Sequence, residues 1–231
     1  MTRANIKSLK PKLESKTWVN WIQLMVIPSI VSYVKRKKEK HLRETGSHFL
    51  FKNFFFFDGF SSHVQLIRSV AGKSRALQEI YNFYPNLRVR DLIFPATWAA
   101  AFWEGLLNCK ALRNRYRLTK SILLTTLENK GSGASILELA AGTSQALLET
   151  MATLKDYGII VNATLVDIDP VSLNEAKALA DYLGIGDQVT TVTQNLVFYL
   201  KENREKRFDV VEMVGIADYL DEKTLSFVYR R

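Results

Sequence analysis

Residues 136 to 150, ILELAAGTSQALLET, read as an apolar strand that passes through a turn of small residues into an amphipathic helix. Such a turn points helix-start N–H groups at a ligand, and glycines let that ligand come close to the backbone. A dinucleotide loop needs three glycines, the last for tight helix–strand packing around a pyrophosphate. Here the run Ala140-Ala141-Gly142-Thr143-Ser144-Gln145 holds one, and Gln145 stands where the third belongs. Pyrophosphate is therefore disfavoured. No Gly-Lys-Ser/Thr follows, which excludes a P-loop. The chemistry left is the binding of a ligand that lies against the turn without offering phosphates.

A sheet has to hold that turn in place. Apolar strands at 136–140, 163–167, 189–194 and 208–214 alternate with helical patterns at 144–157, 171–183, 196–204 and from about Asp221. Strands rich in Val, Ile and Leu between amphipathic helices predict βαβ units and a doubly wound parallel sheet, class α/β. Ligands of such sheets sit beyond the carboxyl ends of the strands, where the strand order reverses. Pro170 suits the first turn of its helix, and Asp169 is expected to cap it.

Composition shifts at KGSGAS, so the predicted domains are 1–130 and 131–231. The first carries 23 Lys and Arg against 8 Asp and Glu, the second 9 against 15. The overall +9 thus hides a basic half and an acidic half. The single cysteine, Cys109, rules out an internal disulfide and points to a reducing compartment, so a cytoplasmic location is expected. It is read as a small buried apolar residue. His41, His48 and His63 lack metal-ligand spacing, and no metal is expected. The start of the chain lacks the apolar region of a secretory signal.

The basic half reads as helical. WVNWIQLMVIPSIVSYV (18–34) followed by KRKKEK is too short and too polar for a comfortable membrane span. A helix packed on the protein leads, ahead of an interfacial helix whose peripheral membrane contact would run through residues 18–40. Seven phenylalanines in 48–60 read first as core packing. A helical pattern from 62 to 129, broken at Pro85 and Pro95, ends in a glycine stop at Gly131. Arg113, Arg115 and Arg117 give its last segment a basic face, expected to be solvated.

Taken together, these stretches resemble the class I S-adenosylmethionine-dependent methyltransferases. ILELAAGTS is similar to motif I of that family, with Glu138 at the acidic position and Ala140, Gly142 and Ser144 at the three glycine positions. Ala140 and Ser144 depart from the pattern but are small, and Thr143 lies between the last two. TLVDIDPVSLNEAKALA resembles the second strand and helix, which makes Asp167 the acid that holds the cofactor's ribose hydroxyls and sets Ile168 against the adenine. A carboxylate accepts from two vicinal hydroxyls, and a sulfonium tolerates acidic surroundings. Asn195 and Leu196 fall where an acid or amide takes the adenine amino group. Glu212, Met213, Val214 and Gly215 fall near the methionine end, with Asp218 and Tyr219 on the substrate side.

The resemblance implies a Rossmann-like fold, S-adenosyl-L-methionine as cofactor and in-line methyl transfer, in which positioning does most of the work and few acid or base groups are needed. Asp218 and Tyr219 are the catalytic candidates, against the plainer roles of helix cap and packing. The family sheet has seven strands and this chain shows four, so the expectation is a C-terminally incomplete core or one completed by another polypeptide. A small-molecule acceptor ranks above nucleic acid, because the cations are scattered rather than interleaved with aromatics. The acceptor atom, whether O, N or C, stays open. The alternative function is a non-catalytic cofactor-binding or membrane-peripheral module.

Overall fold

The computed structural model describes residues 11–45, 74–86, 101 and 104–230. The Phe-rich segment 48–60, His48, His63 and Pro95 lie outside them. Helices α1 (Trp18–Thr45), α2 (Ser74–Asn86) and α3 (Leu107–Lys130) come first. Then follow β1 (Ala134–Leu139), α4 (Gln145–Asp156), β2 (Val161–Asp167), α5 (Pro170–Tyr182) and β3 (Val189–Thr193). The described chain closes with α6 (Leu196–Glu202), β4 (Val210–Glu212) and α7 (Glu222–Tyr229).

The four strands form one parallel sheet in the order β3-β2-β1-β4. The predicted α/β class and the helical N-terminal region are both present. Period-two alternation splits the side chains of β1 between two cores. Ala134 and Ile136 join Leu147, Leu148, Met151 and Leu154 of α4 on one face, while Leu137 and Leu139 join Leu196 and Tyr199 of α6 on the other. Helices therefore cover both faces. Each fully buried leucine of α4 stabilises by about 1.5–3 kcal/mol relative to an exposed one.

Local chemistry fixes where the elements begin and end. Asp169 caps α5 by accepting from Val171 N at 3.1 Å, with Pro170 behind it as expected. Gly131, at φ +85°, terminates α3 in the left-handed region that glycine adopts without a Cβ penalty. The fourth strand is shorter than its apolar run: only Val210–Glu212 pairs with β1, and Val211 is exposed.

The described residues fall into two compact units. One holds residues 115–230 with residues 11–12 and 74–78, including the whole sheet; the other holds residues 13–45, 79–86, 101 and 104–114. The division runs inside α3, rather than at the composition change near residue 131. Among the described residues no helix is long and apolar enough to cross a membrane.

In the helical unit Arg113 corrects the expectation of a solvated basic face, because its side chain is almost wholly buried. Its guanidinium clamps Glu14 in a bidentate pair at 2.6 and 2.8 Å, and Nη1 reaches Glu104 Oε2 at 2.6 Å. Asn114 completes the latch, accepting from Glu14 N at 2.7 Å and donating to Glu14 O at 2.9 Å. Cys109 is buried as expected, and burial, reinforced by the Glu104 charge, pushes its thiol up to about 12. It is therefore an inert packing residue.

Candidate functional site

Strand order decides where the site lies. From β1 the chain moves outward to β2 and β3, then returns to the other side of β1 as β4, so the order reverses between β1 and β4. The strand ends there carry three carboxylates. Glu138 and Glu212 are register partners on β1 and β4, and Asp167 ends β2. Alternation sets all three on the α4 side of the sheet, in line with Ile136, Val210 and Leu165.

The loop after β1 adopts the backbone that a three-glycine turn makes easy, with one glycine. Ala140, Gly142 and Ser144 all have positive φ, at 54°, 54° and 52°. A left-handed conformation costs a non-glycine residue roughly 1–2 kcal/mol. Ala140 and Ser144 therefore hold strained geometry, imposed by the strand and helix that flank them. Ala141 N donates to Val166 O at 3.1 Å, which ties the turn to β2. Ser144 sits at the N-cap of α4 without capping it; its Oγ donates instead to Glu138 Oε2.

Asp167 is the keystone of the loop. Its Oδ2 accepts from Gly142 N at 2.7 Å and its Oδ1 accepts from Asp169 N at 2.9 Å. Two carboxylate oxygens offer about four lone-pair directions, so these amides leave one on each oxygen for a ligand. Beside it Ile168 is 69% exposed, an apolar side chain standing free at the rim.

The other two carboxylates are buried and repel each other. Burial pushes Glu212 up to about 7. Burial, then the charges of Glu212 and Asp167, raise Glu138 well above the usual carboxylate range against the opposing Ser144 bond. Among the described residues Glu212 Oε2 is buried with no hydrogen-bond partner. An orphaned buried acceptor beside a second acid is costly unless a proton or a cation meets it. This donor set fits a cationic group.

The remaining expected residues are distributed unevenly. Asn195 caps α6, its Oδ1 accepting from Val197 N at 2.9 Å. Leu196 packs in the core with Leu137 and Val166, so only its backbone is left to meet a ligand. Met213 packs against that same core, and Thr143 is buried within the turn. Gly215 has φ +83°, where any side chain is strained, and a Cβ there would stand 3.1 Å from Arg115 Nη1, which would have to give way.

Asp218 and Tyr219 occupy a short 3-10 turn, Ala217–Tyr219, and both are exposed, Tyr219 at 81%. The capping role considered for Asp218 belongs to Asp221, which accepts from Thr224 N at 2.7 Å. Sequence reasoning missed the support of α4 by α3. Glu149 of α4 receives Tyr116 Oη at 2.5 Å, Lys120 Nζ and Gln145 Nε2 at 2.8 Å. Burial opposes its charge, but these bonds outweigh it and hold the carboxyl below its ordinary range. The only signal in the sequence was the spacing of Tyr116 and Lys120, one helical turn apart.

Comparison with family models and with curated proteins finds no match. Among solved structures, a possible exported protein from Bordetella parapertussis matches at 19% identity and a TM-score of 0.58, over 75% of this chain and 54% of that one. This chain thus spans about half the length of that protein. The likeness is one of fold. Two SAM-dependent methyltransferases in complex with S-adenosyl-L-homocysteine also match. The one from Geobacter sulfurreducens has 21% identity and a TM-score of 0.35, over 42% of this chain and 36% of its own. The one from Thiobacillus denitrificans has 21% identity and a TM-score of 0.38, over 48% and 42%.

Proposed function

We propose that the chain carries the cofactor-binding core of an S-adenosylmethionine-dependent methyltransferase acting on a small-molecule acceptor. The observation that carries this reading is Asp167, its carboxylate held over the left-handed turn by Gly142 N and Asp169 N with lone pairs to spare. In this reading those lone pairs accept the two ribose hydroxyls, and Ile168 covers one side of the adenine. Asn195 and the Leu196 backbone meet the adenine edge. Glu138 and Glu212 form the acidic wall at the cationic end, near Met213 and Gly215. The cofactor supplies an electrophilic methyl group; the chain orients it and excludes water.

The acceptor class rests on the sequence, in which the cations of the basic half are scattered rather than set among stacking aromatics. The exposure of Asp218 and Tyr219 favours a second reading, a module that binds the cofactor without turnover.

Calorimetric titration with S-adenosylhomocysteine tests the first step. Asp167→Ala is expected to weaken binding at least tenfold, since each charge-assisted hydrogen bond lost costs about 1.5–3 kcal/mol. A wild type that fails to bind, or a variant that binds equally well, removes the reading. Transfer of a labelled methyl group to small molecules of a cell extract then separates enzyme from module.

A further inference from the structure

A helix in water ordinarily buries its apolar side and leaves its polar side outside. In the first half of α1, among the described side chains, two amides are buried and large apolar groups are exposed. Among the described side chains Asn20 and Gln23 are buried: Asn20 Nδ2 donates to Gln23 Oε1 at 2.6 Å and to Gly105 O at 2.8 Å, and Lys110 Nζ donates to Asn20 Oδ1 at 2.7 Å. Through Asn20 these two amides tie α1 to Gly105 and Lys110 of its own unit. On the other side Trp18, Trp21 and Met25, spaced three and four apart, are 73, 60 and 76% exposed. Side chains of this size left together in water mark a surface that something covers.

The same stripe tells what covers it. Continuing at that spacing, it passes through the exposed Ser29 and Ser32 and ends in the exposed cations Arg36, Lys40 and Arg43. Lys16 Nζ lies 5.5 Å from the Trp21 ring centroid and adds a cation beside the aromatic end. The whole helix carries six Lys and Arg against Glu39 and Glu44. A second copy of the helix has too few carboxylates to meet those charges. Single-stranded RNA wants cations and rings interleaved; here both tryptophans stand at one end and Arg36, Lys40 and Arg43 at the other, with Lys16 beside Trp21 and Lys37 over Tyr33 the pairs that mix the two kinds.

We propose that this face of α1 docks on an anionic lipid bilayer. Trp18, Trp21 and Met25 enter the boundary between headgroups and acyl chains, where the amphipathic indole is favoured. Arg36, Lys40 and Arg43 rest on the lipid phosphates. The helix lies on the membrane and does not span it, in keeping with its hydropathy. The amide side stays with the protein, and the serines mark the crossing from apolar to charged.

Co-sedimentation of the full chain with vesicles tests the docking, using phosphatidylcholine alone and phosphatidylcholine mixed with phosphatidylglycerol. Binding to the mixed vesicles, weakened by salt and accompanied by a blue shift of tryptophan emission, is the expected result. Arg36→Glu with Lys40→Glu should weaken it by roughly tenfold or more. Trp18→Ser with Trp21→Ser should abolish the shift. Both variants should keep the wild-type circular dichroism, because the replaced side chains are exposed. Three results overturn the proposal: no sedimentation with anionic vesicles, binding of single-stranded RNA in their place, or a dimer that Trp18→Ser with Trp21→Ser dissociates.

Discussion

Glu212 illustrates how one side chain comes to matter through its neighbours. In the sequence it is an acid inside an apolar strand, FDVVEMV, with no partner nearby. In the sheet it stands beside Glu138, buried, with an unsatisfied oxygen. Its folded pKa, about 7, lies above the ordinary carboxylate value, so the folded chain holds the proton more tightly than the unfolded one. The contribution of Glu212 to stability therefore falls as pH rises from about 4.5 through 7, and ionisation of Glu138 acts in the same direction. Glu138 faces it from β1, and Asp167 adds to the repulsion on Glu138. Glu212→Gln removes the charge and offers Glu138 a donor. The variant should melt higher than wild type at pH 8, with the difference closing toward pH 5. An equal difference at both pH values counts against a proton held at this position. Asp167 was legible from its place after an apolar strand; the strain at Ala140 and Ser144 was not, because small side chains announce space rather than backbone sign.

At the scale of the element, periodicity and end signals located the β/α half well. Gly131, Asp169 and Pro170 act where local chemistry puts them, since capping and turn preferences depend on a few adjacent residues. Arg113 of α3 was misjudged because a run of arginines separated by single residues looks like a wet face. Arg113 points inward, onto two carboxylates that lie far away in sequence or on the opposite side of a bend. Removing one partner of a buried pair leaves a stranded charge, at a cost of about 3–5 kcal/mol. Arg113→Met should lower the urea midpoint accordingly, and adding Glu104→Gln should recover a substantial part of the loss. Additive losses in the double variant argue against a shared network.

At the scale of the molecule, the proposed ligand site lies wholly in the sheet-bearing unit. S-adenosylhomocysteine at about one hundred times its dissociation constant should stabilise the fold that binds it by about 2.7 kcal/mol. Hydrogen exchange is the discriminating measurement. Protection is expected at residues 140–144 and 167–169, where the amides of the turn and of Asp169 gather on Asp167. Residues 18–45 should exchange as in the free protein. Protection confined to 18–45 defeats the assignment of the site to the strand ends.

What the sequence determined by itself was the alternation of strands and helices, the caps, the acid at the end of the second strand and the small-residue turn. These follow from periodicity and from contacts a few residues long, which are written along the chain. Tertiary structure alone decided that Glu138 and Glu212 face each other, that Arg113 is buried between carboxylates, that the compact units divide inside α3, and that α1 turns its tryptophans outward. Each of these depends on which distant segments pack together. A linear pattern records that a residue has one polar and one apolar option, and only the packed chain chooses between them.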